Sequence, residues 1–151
     1  MQRFLAQVLL LSIIGTTIAS HANANVASSN SLTVTVSGLR NQKGRICLSL
    51  FSAEQGFPNK KERATEAQCF KAGEGSIAVK FNNLLRGSYA VAVIHDANED
   101  GTLNRGLFGI PEEGFGFSRN PNVRMGPPKF KDAAIFVAGQ SIIQVELKYF
   151  L

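Results

Sequence analysis

Ser88-Tyr89-Ala90-Val91-Ala92-Val93-Ile94-His95 is the stretch on which the fold reading turns. A β-strand sends successive side chains to opposite faces, so Tyr89, Val91 and Val93 share one face and Ala90, Ala92 and Ile94 the other. Both sets are apolar, and a strand buried on both faces belongs inside a sheet rather than at its edge. Working outward, Ser31 to Ser37 alternates Leu32, Val34 and Val36 against Thr33, Thr35 and Ser37, the pattern of a half-buried strand. Gly38 to Gly44 turns the chain into Arg45 to Phe51, where Ile46, Leu48 and Leu50 alternate with Cys47, Ser49 and Phe51. Ile77, Val79 and Phe81 mark another strand, and Asn82 to Gly87 supplies turn residues before Ser88. Ala133 to Val137 and Ser141 to Tyr149 complete the set, the last alternating Ile143, Val145, Leu147 and Tyr149.

Two long stretches carry no such pattern. Gln55 to Gly73 is polar, with Pro58 and a charged run, and reads as a loop with one short helix over Lys60 to Gln68. Asp96 to Lys129 reads as irregular throughout. Short strands separated by turns, with no long helix, predict an all-β chain folded as a single β-sandwich. The spacing resembles immunoglobulin-like and prealbumin-like sandwiches. Leu84-Leu85-Arg86-Gly87-Ser88-Tyr89-Ala90-Val91 is similar to the turn-into-strand phrase Leu-x-x-Gly-x-Tyr-x-Val of prealbumin-like modules.

The N-terminus predicts export. Arg3 is followed by a mostly apolar run from Phe4 to Ile18 and by the small-x-small site Ala22-Asn23-Ala24. That order is a signal peptide over residues 1–24, leaving residues 25–151 as the domain. The alternative is an uncleaved anchor. The apolar run is short for a membrane span and lacks a basic stop-transfer flank, and no later stretch is long and apolar enough to cross a bilayer, so no transmembrane segment is expected in the mature chain. A periplasmic or secreted location follows. Export also puts Cys47 and Cys69, the only two cysteines, in an oxidising compartment, where a disulfide is expected. A redox-active pair would need a C-x-x-C spacing that is missing.

The charge balance is +5; without Arg3, 15 Lys and Arg face 11 Asp and Glu, or +4. The basic residues are scattered apart from Lys60-Lys61-Arg63 and Lys129-Lys131, and they lack the basic-aromatic clustering of a nucleic-acid surface. No nucleic-acid partner is expected. Weak attraction to anionic envelope polymers is the sharper reading of the charge, and solubility the plainer one.

Chemistry concentrates in His95-Asp96-Ala97-Asn98-Glu99-Asp100-Gly101-Thr102-Leu103-Asn104. Asp96, Asn98 and Asp100 at alternate positions, then Gly101, match the first half of a calcium loop, because calcium takes many hard oxygen ligands around a sharp turn. Thr102 would add a carbonyl and Asn104 an amide oxygen or a bridging water. The twelfth position, where a bidentate Glu belongs, is Leu107; Glu112 or Glu113 would have to fold back in its place. Ca2+ is therefore the one cofactor considered, with a weak site. The competing reading is a tight loop whose Asp and Asn side chains cap backbone amides. His95 offers a ligand or a general base, against a histidine that hydrogen-bonds a neighbouring loop.

Beyond it, Leu107 to Pro121 forms a Gly/Phe/Pro-rich ligand-loop candidate. Phe115 and Phe117 offer an exposed aromatic platform for a sugar or peptide, but rings of this size beside glycine are expected to pin the loop to the core. Glu112 and Glu113 are paired carboxylates in sequence, and Ser118 lacks a nucleophile-elbow context.

Taken together, His95-Asp96-x-Asn98-x-Asp100-Gly101, Gly109-Ile110-Pro111-x-Glu113-Gly114-x-Gly116-Phe117-Ser118 and Gly126-Pro127-Pro128-x-Phe130-x-Asp132-Ala133 resemble a bacterial family of exported domains of unknown function, the DUF2141 type. Gly38-Leu39-Arg40-Asn41-x-Lys43-Gly44 and Leu50-Phe51 extend the likeness. The resemblance implies export and a small β domain, and no activity. Asn104 stands where the family's pattern tends to carry Asp, which removes a carboxylate from the candidate metal loop.

Three functions fit these residues. The first is a non-enzymatic envelope domain that binds a partner protein or polymer, with a loop ordered by calcium. The second is a metal-dependent hydrolase using His95, Asp96 and Glu112 or Glu113, which needs a convergent pocket and an open coordination position. The third is a purely structural module.

Overall fold

In the computed structural model, residues 29–124 and 126–150 are described. The expected signal peptide over residues 1–24, with its expected cleavage after Ala24, lies outside the described residues.

The strands are β1 (Asn30–Ser37), β2 (Arg45–Phe51), β3 (Glu66–Lys71), β4 (Ile77–Leu84), β5 (Gly87–Asp96), β6 (Gly114–Phe117), β7 (Ile135–Val137) and β8 (Gln140–Glu146), with one helical turn, α1 (Phe130–Ala133), before β7. They form two sheets. One has the order β4-β1-β8 and the other β3-β2-β5-β6, with β7 also paired to β5. β1 runs antiparallel to β4 and parallel to β8. The chain is thus all-β, a two-sheet sandwich.

The alternation of each strand decides which side chains meet between the sheets. Leu32, Val34 and Val36 of β1, Val79 and Phe81 of β4 and Val145 of β8 face Ile46, Leu48 and Leu50 of β2 and Tyr89, Val91 and Val93 of β5, all buried in one cluster. Burying a side chain of this kind is worth about 1.5–3 kcal/mol each, so this layer dominates stability.

The other face of β5 required a second cover, and the two long segments provide it. Phe51, Ala90, Ala92, Phe115, Phe117 and Ala133 form a separate buried cluster, with Phe57, Ala64, Leu103, Val123 and Phe130 packed against it. Phe57 sits at its centre, edge-on to Phe51 at 5.4 Å, Phe117 at 6.0 Å and Phe130 at 5.9 Å between ring centroids. Ser118 is locked beneath this layer: its hydroxyl donates to Ala133 O and accepts Val91 N–H.

Two segments differ from expectation. Gln55 to Gly73 is not a plain loop: Glu66–Lys71 pairs with β2 as an edge strand, and only Lys61–Arg63 turns, as a single 3-10 turn. An edge strand mostly exposed on both faces has no apolar period to betray it. Cys47 and Cys69 stand directly opposite in that pairing, Cα–Cα 4.1 Å, and form a disulfide, so the bond joins two strands rather than a strand to a loop. The second segment is Gly114–Phe117, which pairs with Ala92–His95 of β5. Its glycines face inward because there is no room for more. A Cβ at Gly114 would lie 2.4 Å from the Tyr149 ring and one at Gly116 2.7 Å from Val145 Cγ1. Phe115 also exchanges both backbone hydrogen bonds with Lys148, which ties this sheet to the chain leaving β8.

Candidate functional site

The outer face of the larger sheet carries a pocket of about 720 Å³. Strand parity sets its floor. Cys47 and Ser49 of β2 lie opposite Ile94 and Ala92 of β5, which lie opposite Phe115 and Phe117 of β6. Its walls come from three separate parts of the long segments, with Pro58 and Glu62 from the first, Arg105 and Ile110 from the second and Val123 and Pro127 from the third, and with Phe150 from the C-terminal tail. Phe115 and Phe117 are buried at 3% and 8% exposure, so they pin the layer and floor the pocket at once rather than standing free as a platform. Phe108 and Ile110 form an apolar part of the wall, with Phe108 97% exposed and held at φ 60°, a left-handed conformation uncommon for a bulky residue.

Beside this pocket, the Asp96–Asn104 loop holds itself with its own acids. Asp96 is fully buried; its Oδ1 accepts Asp100 N–H at 3.0 Å and its Oδ2 accepts Gly101 N–H at 2.9 Å. Arg45 Nη2 reaches the same Oδ2 at 3.3 Å and also donates to Glu99 O. Asp100 points to the loop's other side, where it accepts Thr102 N–H and hydroxyl, Asn98 Nδ2 and Asn104 Nδ2. The Asn104 amide first, and the Thr102 backbone N–H next, hold the Asp100 carboxyl well below the usual carboxylate range. Glu113 folds back onto this loop and meets its backbone amides. Its two oxygens accept Ala97 N–H at 2.9 Å and Asn104 N–H at 3.0 Å, clamping both ends of the loop. Glu112 is exposed and lies against Gly106. These bonds brace the loop from within the protein, while Asn104 Oδ1 is buried without a partner among the described residues. Among the described residues no three His, Cys, Asp or Glu side chains gather as a metal-binding group.

His95 lies on the opposite face of β5 from Ile94, at 1% exposure. Its Nε2 is 2.7 Å from Lys43 O and its Nδ1 2.7 Å from the Tyr149 hydroxyl. Lys43 O can only accept, so Nε2 carries the proton and Nδ1 accepts from Tyr149, a tautomer assigned from the network. Tyr149 in turn accepts Arg40 N–H at 3.1 Å, and burial pushes its phenol up. The chain of bonds fastens the β1–β2 turn to the C-terminal tail. It depends on a close approach: Gly44, at φ 68°, would place a Cβ 2.1 Å from Asp96 O. His95, Asp96, Glu112 and Glu113, the residues of the hydrolase reading, are thus divided between a packed hydrogen-bond chain, a self-braced loop and the surface. None of them lines the pocket.

Sequence reasoning found Phe115 and Phe117 but not that Ile94, Ala92 and Ser49 share the pocket floor beside them. The signal was present in Ser88 to His95: a strand apolar on both faces needs cover on both faces, and only the two unpatterned segments were left to provide it.

Fold and site together define a disulfide-bonded two-sheet β domain with a pocket on its outer face, walled by long loops. The family model described as an uncharacterized protein conserved in bacteria, DUF2141, matches residues 34–144, and the chain belongs to that family. No curated protein and no solved structure matches it. Among the described residues no helix is long and apolar enough to cross a membrane.

Proposed function

We propose that this protein is a non-enzymatic binding domain of the bacterial envelope that takes a small apolar molecule in the pocket over β2, β5 and β6. The pocket itself carries the reading. Its volume of about 720 Å³ falls within the range of roughly 300–1,000 Å³ that small-molecule sites occupy. Its floor is aliphatic and aromatic, as such sites are, with Ser49 as a polar group among them. The Cys47–Cys69 disulfide, set at the edge of that floor, favours an oxidising compartment and so supports export.

The test is a titration with the neutral fluorophore N-phenyl-1-naphthylamine. The sequence contains no tryptophan, so Phe108→Trp puts a single reporter at the pocket wall. Saturable one-to-one binding with a blue shift of that tryptophan is expected. Ile94→Trp, which fills the floor, should weaken binding at least about tenfold while the melting curve stays cooperative. Absence of saturable binding, or equal binding by the Ile94→Trp protein, would remove the reading.

A further inference from the structure

We infer that the ligand is an amphipathic anion, with its apolar body on the Ile94–Phe115–Phe117 floor and a carboxylate or similar head at Lys61, Arg105 and Arg124. This rests on the pocket reading above and adds the chemistry of the head group. The three cations come from three separate wall segments yet line one pocket, against a single acidic lining residue, Glu62. Among the described residues none of the three is within ion-pair distance of a carboxylate; both ion pairs belong to Arg45. Two of them are anchored at the walls rather than left trailing in solvent. Lys61 Nζ donates to Gly101 O at 3.0 Å, and Arg105 Nη1 donates to Gly109 O at 3.0 Å. An ammonium has three donors and a guanidinium five, so each keeps donors for a ligand after that bond.

The partition of polarity points the same way. Charged groups are costly to bury and cheap to leave at a wet rim, and all three cations are exposed while the floor beneath is apolar. A ligand matched to both parts has a dry body and a charged, solvated end. A cationic amphiphile would meet a three-to-one excess of like charge, and a neutral one would leave the cations unused. Without Arg3 the chain still carries 15 Lys and Arg against 11 Asp and Glu, and this excess of +4 adds long-range attraction for anions.

Competition against the neutral fluorophore separates the head group from the pocket. Dodecanoate, dodecanol and dodecyltrimethylammonium share one tail and differ in head charge. Dodecanoate should displace the probe at a concentration at least about tenfold lower than either other compound, and added salt should shrink that advantage. In the Lys61→Gln, Arg105→Gln double variant the preference should fall to about twofold, with Arg124→Gln alone giving a partial loss. Lys80→Gln, on the other sheet, should leave the preference intact. Equal displacement by all three compounds, or a preference that survives the double variant, overturns the head-group inference and leaves the pocket standing. Failure of the neutral probe to bind the unaltered protein removes the pocket and this inference with it.

Discussion

Tyr149→Phe removes one oxygen from the bond chain that fastens the C-terminal tail and leaves its packing alone. The ring stays under the Arg40 guanidinium, 4.3 Å from its centroid, because that attraction needs only the aromatic face. What is lost is the donor to His95 Nδ1 and the acceptor of Arg40 N–H. Arg40 is exposed, so water replaces the second bond at little cost. His95 is 1% exposed, and water does not reach Nδ1 without opening the structure. A buried acceptor left unpaired costs about 1–3 kcal/mol, which sets the expected loss at about 2 kcal/mol. At this chain size that lowers Tm by about 8 °C. Urea unfolding should show a lower midpoint with an unchanged slope, since no new surface is exposed in the native state. Combining Tyr149→Phe with His95→Leu should cost less than the sum of the two single changes, as expected for partners in one network. A loss below about 0.5 kcal/mol, the range of an ordinary surface change, would refute the chain of bonds and mean that His95 finds its donor elsewhere.

Reducing the Cys47–Cys69 bond should lower stability by about 3 kcal/mol, since it closes a separation of 22 residues, and Tm by about 10 °C; free thiols in the denatured, unreduced protein would contradict the bond itself. The Asn104 amide and the Thr102 backbone N–H hold the Asp100 carboxyl well below its ordinary value of 3.8, so its contribution is present above that pH and is lost as pH falls through and below it. Asp100→Asn should therefore flatten the acid limb of the stability curve, as followed by circular dichroism. Because the Asp96–Asn104 loop is braced by its own amides, Arg45 and Glu113, millimolar calcium should leave Tm where it is; a rise that Asp100→Ala abolishes would instead establish an ion there. Intact mass of the protein from the envelope fraction should begin at Asn25, and a mass that retains Arg3 would mean an anchor.

The sandwich was legible wherever one face of a strand is apolar. Leu32-Val34-Val36, Ile46-Leu48-Leu50 and Val79-Phe81 all fill the layer between the sheets, as their alternation required. β3 escaped notice because an edge strand with both faces largely exposed needs no hydrophobic period, and its pairing is fixed by backbone bonds and by Cys69. β6 escaped for a different reason. Gly-Phe-Gly-Phe does alternate, but its inward positions are glycine because Tyr149 and Val145 occupy the space, and a missing side chain reads as a loop. The Asp96–Asn104 acids were legible as a turn, since Asp and Asn at alternate positions serve amides as readily as ions. Glu113's clamp was anticipated only as a fold-back, because the return path through β6 was not visible. The pocket was hidden because its floor and its walls are separated in sequence by pairing that no local pattern states.

The most direct test of the binding claim is an amide NMR titration of the protein with N-phenyl-1-naphthylamine. Chemical-shift changes should saturate and cluster at Ser49, Ala92, Ile94, Phe115 and Phe117, the floor of the pocket, with Val34, Val79 and Val145 between the sheets unmoved. No saturable change at those floor residues, or changes centred on Lys43, His95 and Tyr149 instead, would contradict a binding site on the outer face of the sheet.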